Sequence, residues 1–197
     1  MRIIGGFARA VRLDAPPGSG VRPTTDRVRE SVFGVLGDLR GRAVIDLFAG
    51  SGALGLEALS RGADPVVMVE NCPAHVRVLR ANLARLQDAL PPGHQPEAVV
   101  LQCDVLRIPQ AIPERAGAFD VILADPPYHP RTGGTGPREL LLDTALAAWA
   151  GEALLVLQHA TRDPLPLAPL SAWRALRQQR YGITTLTYCR CRVSAGP

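Results

Sequence analysis

Three glycines and two carboxylates carry the first chemistry legible in this chain. Gly50, Gly52 and Gly55 stand as GSGALG behind an apolar run, Ala43 to Phe48, that holds a single acid, Asp46. The run reads as a buried parallel strand, Ala49-Gly50-Ser51-Gly52 as a small-residue turn, and Ala53 to Ser60 as a helix entered from it. Such a turn lets backbone come close to a ligand, and the N–H groups of the helix start face whatever lies above the strand end. The second carboxylate, Glu70, closes the next apolar run, PVVMVE, 18 residues after Gly52. That spacing suits an acid gripping ribose hydroxyls. A dinucleotide and S-adenosylmethionine satisfy these residues equally, and so far both stay open.

A second cluster decides between them. The run Phe119 to Ala124 leads into Asp125-Pro126-Pro127-Tyr128, a tetrapeptide carried at a strand end by methyltransferases that act on exocyclic amines of bases. Such an amine is a poor nucleophile because its lone pair is delocalised into the ring. A carboxylate (Asp125) and a carbonyl (Pro126) can accept its two hydrogens, which localises the pair and stabilises the charge that builds during in-line transfer. Pro126-Pro127 fixes the direction of the acceptors, since proline holds φ near −65°. Tyr128 offers a π-face to an extruded base.

With these residues quoted, the chain resembles a known family, the bacterial 16S ribosomal RNA guanine-N(2)-methyltransferases of the RsmD type. The matching pieces are RIIGG at 2–6, RPTTDRVRESVF at 22–33, DLFAGSGALGLEALSRGA at 46–63, VE at 69–70, Asn82, FDVILADPPY at 119–128 and YGITTL at 181–186, in order along nearly the whole chain. The resemblance implies S-adenosylmethionine as cofactor, held by Asp46, Phe48, Ala49, Gly50, Ser51, Gly52, Glu70, Asn71, Asp104, Val105 and Asp125. Asp125, Pro126 and Tyr128 would be catalytic. Arg22, Thr24, Arg29 and Pro127 would meet RNA, the first three as part of an active-site wall. The implied partner is 16S ribosomal RNA in an assembled small-subunit particle, met by a monomer in the cytoplasm. Relatives often have an acid where this chain has Asn71, which puts a second contact to the cofactor there in question.

Charge distribution fits an anionic partner. All 22 basic residues are arginine, and composition bias of a genome accounts for that without function. Residues 1–42 carry a net +4, residues 43–170 a net −5 and residues 171–197 a net +5. A slightly acidic body between basic ends suggests that the ends contact a polyanion. No apolar run approaches the length of a membrane span, and Met1-Arg2-Ile3 opens no signal peptide. Cys72, Cys103, Cys189 and Cys191 read as reduced thiols, and Cys189-Arg190-Cys191 lacks the spacing and partners of a zinc site.

Several further elements must position these residues. RIIGGFARAVRL (2–13) reads as two short strands meeting at Gly5-Gly6, and Thr24-Thr25-Asp26 as the cap of a helix to Leu36. Val76, Leu79, Leu83 and Leu86 give residues 73–90 the helical period. Ala98–Gln102 is a third strand; Asp104 behind it is an acceptor for the adenine amine in relatives, or a helix N-cap, and both can hold. HPRTGGTG (129–136) is a Gly/Pro loop, 137–150 a helix, 152–158 a fifth strand, and 173–180 and 183–192 an antiparallel pair. The expectation is an α/β, Rossmann-like methyltransferase fold: a seven-stranded, mostly parallel sheet with a C-terminal antiparallel hairpin. Residues 1–40 form an N-terminal extension and 41–197 the methyltransferase domain.

Three competing functions fit less well. A DNA adenine or cytosine amino-methyltransferase shares the DPPY tetrapeptide, but 197 residues leave little room for a target-recognition domain. An NAD-binding oxidoreductase needs an acid/base pair that is not apparent. A non-catalytic RNA-binding or assembly factor needs neither the glycine turn nor the tetrapeptide.

Overall fold

A computed structural model describes residues 1–16, 25–128, 130, 134–167 and 171–191. It divides into two compact units, Met1–Gln102 and Cys103–Pro197. Residues 1–40 and the glycine turn both lie in the first unit.

The first unit opens with a closed loop. Arg2 and Arg12 form an isolated antiparallel bridge, and turns fill the residues between them. Two full strands do not form because the backbone N–H groups are taken elsewhere. Ile4 and Gly5 donate to the carboxylate of Glu57 (2.8 Å each), and Ala8 donates to the Ser60 hydroxyl (2.9 Å). Helix α1 (Asp26–Leu36) is capped by Thr25 and buries Val28, Arg29, Val32, Phe33 and Leu36. Strands β1 (Val44–Asp46), β2 (Val66–Val69) and β3 (Ala98–Leu101) lie parallel in the order β3-β2-β1. Strands β1 and β2 are buried throughout, as their apolar runs, broken only by Asp46, require. Between them come α2 (Ala53–Ser60) and α3 (Pro73–Asp88). The expected stripe Val76, Leu79, Leu83 and Leu86 faces the core, and Asn82 is buried with it.

In the second unit a 3₁₀ turn (Val105–Arg107) runs into a one-turn helix, α4 (Ile108–Ala111), ahead of β4 (Val121–Ala124). The helix expected over 137–150 is two, α5 (Pro137–Leu142) and α6 (Thr144–Ala150). Asp143 breaks it: its side chain accepts from the Leu146 N–H (2.6 Å), so it caps a new helix instead of extending the old one. Strand β5 (Leu154–Ala160) pairs parallel with β4 and antiparallel with β7 (Thr184–Cys191). Strand β6 (Trp173–Tyr181) pairs antiparallel with β7 and is the outermost strand. Among the described residues no helix is long and apolar enough to cross a membrane.

Candidate active site

The glycine turn follows β1 and is fastened from three sides. The Asp46 side chain, 1% exposed, accepts from the Gly55 N–H (2.9 Å), tying the strand end to the first turn of α2. One Glu70 oxygen accepts from the Gly50 N–H (2.9 Å) and the other from the Cys72 N–H (2.8 Å); His75 Nδ1 stands 3.6 Å away. Asn82, fully buried, donates to the Ser51 carbonyl (2.9 Å) and exchanges hydrogen bonds with the backbone of Asp14 (2.9 and 3.0 Å). The turn is thus held in one geometry by these side chains, which would lower the entropic cost of binding a ligand there.

The glycines divide by role. Gly50 has φ +54°, and a Cβ there would meet only the Phe48 carbonyl, at 4.0 Å. Its open side is where a ligand can approach. The space beside Gly52 is already filled: a Cβ would lie 2.5 Å from Leu79 and 2.8 Å from Leu56. At Gly55 it would lie 2.5 Å from Met68. Gly52 is also required by packing against α2 and α3 and by its φ of +88°. Phe48 is half-buried, Ala49 and Ser51 are buried, and Asn71 is exposed. These residues fit an adenosyl cofactor at one edge of the turn: an open glycine, and an acid whose two oxygens are held in place with acceptor capacity left for hydroxyls.

In the second unit Asp104 caps the 3₁₀ turn, accepting from the Leu106 N–H (2.9 Å), and Val105 is buried. Directly after β4, Asp125 is half-buried, Pro126 buried, Pro127 exposed and Tyr128 half-buried. Tyr128 is anchored at its hydroxyl, which shares a 2.9 Å hydrogen bond with Thr184 and accepts from Gln158 (3.4 Å). Burial, and then the nearby Asp125 charge, push its pKa above the usual phenol value, against the pull of the Thr184 bond. The ring therefore stays neutral and fixed at its far end.

Arg29 corrects a sequence expectation. It does not face RNA: it is fully buried, donating from Nη2 to Asp26 (2.6 Å) and to the Arg2 carbonyl (2.8 Å), with Glu57 3.9 Å from Nη1. The signal was present in its position, three, four and seven residues before Val32, Phe33 and Leu36, on the apolar stripe of α1. Arg22 and Thr24 lie outside the described residues. Glu57 and Asn82 were given no role from sequence although each is a polar residue at an apolar helical position. Among the described residues no group of three or more His, Cys, Asp and Glu is placed to hold a metal.

Comparison with known proteins settles the family. Residues 1–190 match the family described as Conserved hypothetical protein 95. Ribosomal RNA small subunit methyltransferase D of Escherichia coli strain K12 is 35% identical over 184 residues, which cover 92% of this chain and 85% of the relative. The chain belongs to the RsmD family. Among solved structures, a hypothetical protein of Thermus thermophilus is 32% identical, covering 96% of this chain and 99% of its own, with a TM-score of 0.71. The 16S rRNA N2 G1207 methyltransferase of T. thermophilus, solved with AdoMet and guanosine, is 28% identical with a TM-score of 0.61. That match covers 89% of this chain and 45% of the other. As an RsmD-family member the chain is an S-adenosylmethionine-dependent methyltransferase, with the seven-stranded, mostly parallel Rossmann-like fold and its antiparallel C-terminal strands.

Proposed function

We propose that this chain methylates the exocyclic N2 amine of one guanine in 16S ribosomal RNA, acting as a monomer on a small-subunit particle in the cytoplasm. The observation that carries the reading is the Asp125-Pro126-Pro127-Tyr128 segment at the end of β4, with its tyrosine tied to Thr184 and Gln158. Two findings support it: the family's E. coli member is named for ribosomal RNA of the small subunit, and a structural relative acts at N2 of a guanine.

S-adenosylmethionine, when bound, supplies an electrophilic methyl group. Glu70 would hold ribose hydroxyls, Gly50 would admit the cofactor, and Asp46 keeps the turn in place through Gly55. Phe48, Ala49, Ser51, Gly52, Asn71, Asp104 and Val105 would line the remainder in this reading. Asp125 and the Pro126 carbonyl would accept the amine hydrogens, drawing the nitrogen toward a pyramidal geometry and stabilising its developing positive charge. Tyr128 would stack on the extruded guanine, and Pro127, exposed beside it, would contact the neighbouring RNA. Arg22 and Thr24 remain candidates for RNA contact; Arg29 does not.

The test pairs binding with turnover. Calorimetry should detect S-adenosylhomocysteine and not NAD, and Asp125→Ala should lower kcat by roughly 10²–10³, as removal of one transition-state hydrogen-bond partner does, while retaining cofactor affinity. Near-normal turnover would remove Asp125 from the chemistry, and binding of NAD alone would reject the cofactor.

A further inference from the structure

Arg174, Arg177 and Arg180 are all exposed on β6, the outermost strand. Side chains alternate between the faces of a strand, so in a regular β6 Arg177 would point away from both Arg174 and Arg180. One irregularity changes this. Ala175 pairs with Cys189 and Arg177 with Tyr188, which leaves Leu176 as an extra residue in the ladder. Directly paired residues share a face. Arg174 opposite Arg190, Arg177 opposite Tyr188 and Tyr181 opposite Thr184 therefore project to one side, and Arg180 opposite Thr185 to the other.

That shared face runs on to the tyrosine of the tetrapeptide. Leu186 pairs with Gln158 on β5, so Gln158 and Thr184 lie on it too, and these two residues hold the Tyr128 hydroxyl. The hairpin end is fixed to β5: Thr161 donates its N–H to the Ile183 carbonyl (2.8 Å) and its hydroxyl to the Gly182 carbonyl (3.1 Å). From Tyr181 to Arg177 the strand spans about 13 Å. No acid occurs between Ser171 and Cys191. Arg190 is held at the Glu152 carbonyl (2.6 Å), whereas Arg174, Arg177 and Arg180 form no ion pair among the described residues.

We propose that this face of the β6–β7 hairpin grips the RNA phosphates that flank the target guanine, with Arg174 and Arg177 as the cations and the bulge at Leu176 as the feature that aligns them. Guanidinium forks match phosphate oxygens in pairs. The inference rests on the RNA-methylating reading above, and it identifies the path of the strand beyond the reacting base.

The experiment compares wild type, the double variant Arg174→Gln/Arg177→Gln and the single variant Arg180→Gln. Binding to protein-free 16S ribosomal RNA and to small-subunit particles is followed across a salt series, with methyl transfer and S-adenosylhomocysteine calorimetry alongside. The double variant should reduce the slope of log K against log salt by about 1.4, the amount for two single-strand phosphates. It should raise KM with kcat and cofactor affinity kept, and Arg180→Gln should keep the wild-type slope. A wild-type slope in the double variant overturns the proposal. So does an equal loss in Arg180→Gln, which would make charge count alone decisive. A loss seen with particles and not with protein-free RNA also overturns it, and assigns the face to a ribosomal protein. If wild type neither binds nor methylates small-subunit RNA, the underlying reading fails instead.

Discussion

The two basic ends of this chain carry similar charge and use it in opposite ways. In residues 1–42 three of the arginines, Arg2, Arg29 and Arg40, meet acids of the same stretch. Arg29 is buried against Asp26, Arg2 stands 3.9 Å from Asp26, and Arg40 grips Asp38 at 2.6 Å, pulling that carboxyl down to about 2 through its hydrogen bonds. The backbone of the opening loop is likewise taken up by Glu57, Ser60 and Asn82. The β6–β7 hairpin carries no acid of its own; Glu152 stands 4.0 Å from Arg190, and Arg174, Arg177 and Arg180 stay exposed on the edge strand. Net charge per segment therefore does not locate an anion-binding surface.

This contrast can be broken most forcefully at Glu57. Its carboxylate accepts from Ile4, Gly5 and Arg61 (2.8 Å each) and lies 3.9 Å from Arg29, with no exposure. Glu57→Ala should cost about 3–5 kcal/mol in urea unfolding, the usual result of leaving a buried partner uncompensated. If the opening loop were merely an RNA arm, stability would hardly change and only RNA binding would suffer. At the other end, Thr184→Val removes one partner of the Tyr128 hydroxyl. About 1 kcal/mol is expected, seen as a several-fold rise in KM for RNA with little change in melting temperature. A loss confined to melting temperature would make the Thr184 bond structural only.

The smallest effect concerns pH. His159 is buried in β5, its Nε2 sharing a hydrogen bond with Thr187 (2.9 Å) and its Nδ1 facing the Ala160 carbonyl. Burial lowers its pKa below 6.5, against the Ala160 bond and the Asp163 charge, which favour the cation. The unfolded chain then binds the proton first, so stability falls as pH drops through 6.5 and levels off below the folded value. The slope cannot exceed about 1.4 kcal/mol per pH unit for one group. His159→Gln should flatten this part of the stability curve, and an unchanged curve would assign the slope to other groups.

Local signals were enough for much of the molecule. The strand–glycine turn–helix unit at 44–60, the stripe of α3 and the tetrapeptide at 125–128 each sit within one short window where period and residue type agree. The break at Asp143 was not legible, because an Asp inside an apolar period gives no sign of whether it points to solvent or caps a new turn. The opening loop was misread for a related reason. Gly5-Gly6 promises a hairpin, but Glu57, 52 residues away from Gly5, claims the N–H groups that a second strand would need.

The amino-acid sequence by itself determined the strand–glycine turn–helix unit, the tetrapeptide behind β4 and the order of the elements that carry them, since these depend on neighbours within a few residues. Tertiary structure alone decided which polar groups are spent on holding the protein together. Arg29 went to the core, Asn82 to the Ser51 carbonyl, and the side of Gly52 that a Cβ would occupy to Leu79, while Arg174 was turned onto the face of Arg177 and Thr184 by one unpaired residue. Each of those outcomes depends on a partner far along the chain or on strand register, and a period read along one segment carries neither.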